Sequence, residues 1–349
     1  MDFIKQHFKR LIMFAAIFVG AYLFLSGAVL AVALTVDGRR SANMQMPDLP
    51  TAAEEDPDRE NTSEPFFVAP IEEEDEGSLL RPPARTNFVL LGLDRGNLAD
   101  AIMVGTFYRD SGEIRFMSVP RDTHIILPEA RHAWIRERGL NMPREMKINE
   151  MRAFSGRELG PQLVMQELGD MLGVSFHYYV EVQIAAFRRI VDAIGGVYFT
   201  VPRRLFYEDP FQNLVINVPA GHQRINGATA EGLVRYRGYA NQDLGRITVQ
   251  KEFMMALMQQ VLTRDALWPP SMELIRTIIE DVRTNVSITD IPRYVPYLTR
   301  ASAGMIQTFT MPGDIEMRNR QSVFLPCTTS LPDIIWDVFY ADIERDVGL

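Results

Sequence analysis

A single cysteine, Cys327, occurs in the whole chain. That excludes an internal disulfide and any zinc site built from thiolates. Its neighbours Pro326 and Thr328 bring no histidine close in sequence, so the thiol reads as a small inert group. Lysine is scarce as well: Lys5, Lys9, Lys147 and Lys251 are all there are, and the other basic residues are arginines. Coding bias and a use of planar guanidinium forks on phosphate both account for this, and composition does not separate them. Positive charge is in deficit, with 36 Lys and Arg against 45 Asp and Glu. A net charge of -9 excludes a general nucleic-acid binder, which carries a basic surface. The histidines, His124, His132, His177 and His222 among them, show no metal-ligand spacing. No Ser-His-Asp or Cys-His set is visible.

What the N-terminus has is a long uncharged run, Leu11 to Leu34. At about 1.5 Å per residue it is long enough for a hydrocarbon core of roughly 30 Å. Lys5, Lys9 and Arg10 precede it and acids dominate the stretch after it, which predicts a single-pass membrane protein. Residues 1–10 would be cytoplasmic, 11–34 the transmembrane helix, and everything beyond extracytoplasmic. The competing reading is a cleaved signal peptide, with Ala31-Val32-Ala33 as the cleavage site, but signal cores are shorter. Residues 35–84 carry the acidic blocks Glu54-Glu55-Asp56 and Glu72-Glu73-Glu74-Asp75-Glu76. They read as an extended linker stiffened by self-repulsion.

Beyond Arg85 the pattern alternates. Asn87–Leu93, Ile102–Tyr108 and Glu113–Val119 read as strands, the last two forming a hairpin across Asp110-Ser111-Gly112. Tyr178–Ile184, Val197–Val201, Leu214–Val218 and Met305–Met311 read as further strands. Helices are expected over Pro161–Leu172, Ala185–Ile194, Asn226–Val234 and Arg246–Leu262. Others fall around Ser271–Asp281 and Thr289–Arg300, with a last one opened by a capping box at Ser330-Leu331-Pro332-Asp333. Arg131–Arg144 reads as loop or irregular helix. The expected fold is α/β, a mixed sheet sandwiched between helices in three layers. A core domain would span 85–265, with 266–349 completing it or appended to it.

Four segments join strand ends to charge. Asp94 and Asp100 flank the turn after the first strand, and two carboxylates there suit a hard cation such as Mg²⁺. Alternatively they are turn and cap residues. Ser118-Val119-Pro120-Arg121-Asp122-Thr123 places Arg121 directly after a strand. The plain alternative there is a surface Arg121–Asp122 pair. Lys147-Ile148-Asn149 alone is nonspecific. Arg235-Tyr236-Arg237, Asp243, Arg246 and Gln250 form the fourth group, with Arg246 and Gln250 on one helical face at the N-terminal turn of their helix. Such a group can clamp a pyrophosphate or simply be solvated charge.

In order, these pieces resemble the LytR-CpsA-Psr family from about Asn87 to Leu262. They run Leu91-Gly92-Leu93-Asp94-Arg95, the Arg121 segment, Lys147-Ile148-Asn149, Asp192-Ala193-Ile194-Gly195-Gly196-Val197, Gly221-His222-Gln223 with Asn226-Gly227, and Val234-Arg235-Tyr236-Arg237 leading to Asp243, Arg246 and Gln250. The resemblance implies a phosphotransferase with an apolar tunnel for a polyprenyl chain. It would move a glycopolymer, such as teichoic acid or capsule, from an undecaprenyl-pyrophosphate carrier onto peptidoglycan. It implies that Asp94 and Asp100 bind Mg²⁺ or Mn²⁺. It gives Arg121, Arg235, Arg237, Arg246 and Gln250 to the pyrophosphate, and makes Asp243 a supporting acid or a base. Two positions depart from the pattern: Leu98 and Val249 stand where the family usually has arginine. They favour the alternative of a non-catalytic, membrane-anchored binder of polyprenyl lipids or wall glycans.

Overall fold

The computed structural model describes residues 82–94, 97–209, 214–236, 238, 242–263, 282–287, 290–298, 305–318 and 320–343. The membrane run, residues 35–81 of the acidic linker, the helix expected around Ser271–Asp281, and Arg95 and Arg237 lie outside them. So do the side chains of Asp243 and Arg246.

The elements in chain order are β1 (Arg85–Leu93), β2 (Ala99–Tyr108), β3 (Ile114–Val119), β4 (His124–Ile126), α1 (Glu129–Glu137), β5 (Glu145–Lys147), α2 (Ile148–Phe154), α3 (Gly156–Leu172) and β6 (Tyr178–Gln183). They continue with α4 (Ile184–Ala193), β7 (Val197–Val201), β8 (Leu205–Asp209), β9 (Leu214–Val218), β10 (Gly221–Ile225), α5 (Gly227–Arg235), α6 (Gln242–Thr263), β11 (Val282–Thr284) and α7 (Ile291–Leu298). Last come β12 (Ile306–Thr310), β13 (Gly313–Arg318), β14 (Gln321–Pro326) and α8 (Leu331–Phe339). This is an α/β fold with a central mixed sheet and helices. The chain divides into two compact units.

The first unit holds β1–β6 with α1–α3, then β12–β14 and α8. Its strands β6, β1, β2, β3 and β12 are neighbours in that order. β1, β2 and β3 read as continuous apolar runs because both of their faces are buried. One face of the sheet packs Val89, Leu91, Val104 and Met117 against Leu163, Val164 and Leu168 of α3 and Ile335, Val338 and Phe339 of α8. Each fully buried side chain of this kind is worth about 1.5–3 kcal/mol. On the opposite face, Phe88 meets Phe116 edge-on at 5.3 Å across Gly105. A Cβ on Gly105 would lie 2.5 Å from the Arg115 carbonyl oxygen and 2.8 Å from Phe88, so only glycine fits there.

The second unit comprises α4 through α7 and the strands between them. β7 pairs with β10, and β8 with β9. Val197, Phe199 and Val201 of β7 bury against Val249, Phe253 and Leu257 of α6. Asn226 caps α5, its side-chain oxygen accepting from the Thr229 amide at 2.9 Å. Gly227, next in line, lets α5 approach α4: a Cβ there would sit 2.2 Å from the Arg188 carbonyl oxygen.

Several expectations are corrected. Helix α6 begins at Gln242, so Asp243 lies in its first turn and Gln250 well inside it, not at the N-terminal turn. Ser330 makes no side-chain cap bond to α8; its hydroxyl turns to the Cys327 thiol instead. Hydrogen bonds from Ser330 and Thr329 lower the pKa of that thiol to about 6. Arg131 lies in the regular helix α1 and is fully buried, bonded to Glu167 at 2.7 Å and to Asp170. Hairpin β13–β14 and strands β4, β5, β8 and β10 were not expected; they are short, or polar and exposed on one side.

Candidate functional site

The register of the sheet positions the first group. β2 and β3 are antiparallel, with Ile102 opposite Val119. Extended two residues further, that register sets Arg121 level with Asp100, the second residue of β2. The Arg121 Nη1 donates to Asp100 Oδ1 at 2.5 Å. Asp94 shapes the turn before Asp100. Its Oδ1 accepts from the Leu98 amide at 2.9 Å, and its own amide donates to the Leu98 carbonyl at 3.0 Å. Asn97 supplies the left-handed residue of that turn, at φ 64. Leu98 therefore serves the turn through its backbone while its side chain is half-buried.

The loop carrying Arg121 is clamped from several sides. Thr123, fully buried, donates from its amide to the Pro120 carbonyl at 3.0 Å and from its hydroxyl at 2.5 Å. The Lys147-Ile148-Asn149 segment, nonspecific as a sequence, is the main brace. Ile148 N–H donates to the Thr123 carbonyl at 2.8 Å and Asn149 N–H to the Arg121 carbonyl at 3.2 Å. Lys147 Nζ reaches Asp122 Oδ1 at 3.1 Å. From the far end of the chain, the Phe324 amide bonds the Asp122 carbonyl at 2.9 Å. Asp122 thus pairs with Lys147, and the Arg121–Asp122 pair weighed as the plain alternative is a longer contact of 3.9 Å. Asp100, Arg121, Asp122 and Lys147 form a chain of alternating charge, each side chain a quarter exposed or less. Charges so shielded interact more strongly than on open surface.

The second group lies in the other unit. Arg235, the last residue of α5, donates from Nη1 to Glu231 Oε1 at 2.8 Å. Arg188 of α4 reaches Oε2 of the same carboxylate at 3.1 Å. Glu231 is buried, at 4% exposure, so one sheltered acid orients two guanidinium groups. Gln250 Nε2 donates to the Val234 carbonyl at 2.8 Å, tying α6 to the last turn of α5. Val249, where the resemblance expects arginine, is 4% exposed and packs in the apolar core. Sequence reasoning missed Glu231 and Arg188. The four-residue spacing of Glu231 and Arg235 was the available signal, while Arg188 is 43 positions from Glu231 and left none. Among the described residues no three His, Cys, Asp or Glu side chains group as a metal cage.

Known proteins match this chain in sequence and in fold. The probable cell wall biosynthesis protein LcpB of Corynebacterium glutamicum is 32% identical over 171 residues, 49% of this chain and 36% of the relative. The cell wall biosynthesis protein LcpA of the same organism is 29% identical over 52% of this chain and again 36% of the relative. The chain therefore spans about a third of the length of these two curated relatives. Among solved structures, Bacillus subtilis TagV aligns at TM-score 0.58 and 20% identity, over 74% of this chain and 96% of TagV. A structure of TagT bound to LIIa-WTA aligns at TM-score 0.55 and 20% identity, over 73% of this chain and 90% of TagT. These likenesses show a shared fold. The family model of the LytR_cpsA_psr family matches residues 54–335, and the chain belongs to that family.

Proposed function

We propose that the protein transfers a glycan from a polyprenyl-pyrophosphate carrier onto peptidoglycan at the outer side of the cell membrane. The observation that carries this reading is the braced Arg121–Asp100 pair at the sheet end, in a chain of this family. The likeness to TagT, a structure of which holds LIIa-WTA, supports a lipid-linked glycan as the donor.

In the proposed reaction an acceptor hydroxyl oxygen attacks the glycan-side phosphorus. The bond from that phosphorus to the bridging oxygen breaks, and polyprenyl phosphate leaves with the electron pair. Positioning and charge neutralisation carry such a step. Arg121 is suited to it because Asn149 holds its backbone at the sheet end and one bond from Nη1 to Asp100 keeps its guanidinium there. Phosphate oxygens would compete with Asp100 for the guanidinium. The resemblance gives Arg235, Arg237, Arg246 and Gln250 to the pyrophosphate and makes Asp243 a supporting acid or a base for the acceptor's proton.

Asp94 and Asp100 fit Mg²⁺ or Mn²⁺ in donor chemistry, since both offer hard carboxylate oxygens. A set of two acids suits an ion that takes its remaining ligands from phosphate and water. When bound, the ion would neutralise charge on the pyrophosphate oxygens.

The test is turnover of a purified lipid-linked donor with peptidoglycan fragments as acceptor. Arg121→Ala should lower kcat by about 10²–10³, and Arg121→Lys should restore little of it, because an ammonium lacks the bidentate fork. Chelation should stop turnover and added Mg²⁺ or Mn²⁺ restore it. Unchanged transfer by Arg121→Ala would overturn the reading. A second reading, a non-catalytic binder of polyprenyl lipid or wall glycan, is favoured by the core position of Val249. Retention of lipid with no turnover at any metal concentration would select it.

A further inference from the structure

We infer that the outward face of the β7–β10 sheet is a docking platform for a peptidoglycan glycan strand. This inference rests on the proposed transfer reaction only in naming that strand. β7 alternates buried and exposed residues, with Tyr198 and Thr200 outward. In β10, His222 lies opposite Thr200 and Arg224 opposite Tyr198, so these four side chains form one exposed two-by-two patch. Its backing is rigid. Val197, Phe199, Val201 and Ile225 bury in the core beneath, with Phe199 edge-on to Phe253 of α6 at 5.4 Å.

The patch is also arranged in detail. Tyr198, 56% exposed, stands nearly parallel to His222, with ring centroids 6.0 Å apart and planes 13° from each other. The imidazole is fixed by a 3.1 Å hydrogen bond between its Nδ1 and the Thr200 hydroxyl. Arg224 lies over Gly196, whose missing Cβ would come within 3.2 Å of its Cγ and Nε. Gly196 has φ +82, so glycine is demanded there twice over, and its absence of side chain lets the arginine lie along the sheet. His222 belongs to the Gly221-His222-Gln223 segment, to which no role in transfer falls.

The chemistry selects the occupant. The outer edge of β7 is already bonded, since the Tyr198 amide donates to Gln260 Oε1 at 3.0 Å and Gln260 Nε2 donates to the Gly196 carbonyl. That blocks the addition of a peptide strand at this position. None of the four side chains is aliphatic, which argues against a lipid surface. Exposed rings that carry polar edges suit pyranose rings, which stack a C–H face on an aromatic ring and bond through their hydroxyls. The patch carries Arg224 and His222 and no acid, although the chain is net -9. A lone guanidinium matches the single carboxylates that the stem peptides carry at intervals along such a strand. It is too little charge for a pyrophosphate, which needs several cations.

The test is cosedimentation of the full chain, in detergent, with purified peptidoglycan sacculi. The unsubstituted chain should pellet. Tyr198→Ala should weaken retention about fivefold, and Arg224→Ala about threefold at low salt. Tyr198→Phe, which keeps the ring, should pellet like the unsubstituted chain. Circular dichroism melts of each variant should superimpose, as expected for exposed positions. Sedimentation of Tyr198→Ala and Arg224→Ala at the unsubstituted level would overturn the inference, as would failure of the unsubstituted chain to pellet. Loss in Tyr198→Ala without loss in Arg224→Ala would overturn the anionic assignment. Binding of lipid-linked donor by the same variants, measured without sacculi, should be unchanged. Failure of the platform is thereby separated from failure of the transfer reading.

Discussion

Arg152 and Glu181 are 2% and 1% exposed, and the guanidinium meets the carboxylate at both ends: Nε to Oε2, and Nη2 to Oε1 at 2.9 Å. A third bond runs from Nη1 to the Gly156 carbonyl at 2.8 Å. Burying two charges gains little net stability, yet removing one partner strands the other. Arg152→Leu should therefore cost about 3–5 kcal/mol, read as a lower midpoint in urea with an unchanged slope. Glu167 is a different case. Burial raises its pKa from 4.5 to about 7; Arg131 pulls it down and Asp170 pushes it up, and burial prevails. A folded-state pKa above the unfolded value means that protonation favours the fold. That contribution is full below about pH 4.5 and is lost as pH rises through about 7. The melting temperature should fall across that window, and Glu167→Gln should flatten the fall. A profile that rises with pH, equally in both proteins, would contradict the assignment. Neither pair was legible beforehand. Arg131 sits in a polar, arginine-rich stretch, and its acids come 36 and 39 positions later, so nothing local distinguishes it from a solvated residue.

Elements were legible where burial covers both faces or one helical stripe. β1, β2 and β3 announce themselves as apolar runs, and α4 and α5 as amphipathic stretches ended or begun by Gly195-Gly196 and Asn226. Elements exposed on one side or tied by long-range contacts were not. β10 reads Gly-His-Gln-Arg-Ile and has one buried residue. At Ser330 the sequence pattern of a capping box misled, because the hydroxyl bonds the Cys327 thiol instead. Asn226 is the opposite case, a cap that forms as expected. It starts the helix that ends in Arg235 and carries Glu231. Asn226→Ala should cost about 1 kcal/mol. The measurable consequence is a lower melting temperature, with Asn226→Asp recovering most of it. If the Arg235–Glu231 pair serves the reaction, the same variant should lose activity in proportion to the fraction unfolded and no further.

At the scale of the whole molecule, the class of the fold and the family were legible because most of the diagnostic segments sit at the ends of strands and helices, where backbone geometry leaves little freedom. How the chain is held in the cell turns on the uncharged run Leu11–Leu34, for which an anchor and a cleaved signal compete. A retained anchor needs about 20 apolar residues, more than a signal core of 7–15 provides. We predict that the chain stays in the membrane fraction through an alkaline carbonate wash and through high salt, both of which strip proteins held by charge alone. Intact mass of the extracted protein should include residues 1–34. Protease added to intact spheroplasts should remove the folded part from outside, since Lys5, Lys9 and Arg10 favour a cytoplasmic N-terminus. A mature chain beginning just after Ala33 and released into the medium would sink the anchor. It would also remove the tether that keeps the proposed active site close to a carrier lipid confined to the bilayer. Transfer would then depend on the concentration of free protein, whereas an anchored enzyme reaches its donor by diffusion in two dimensions.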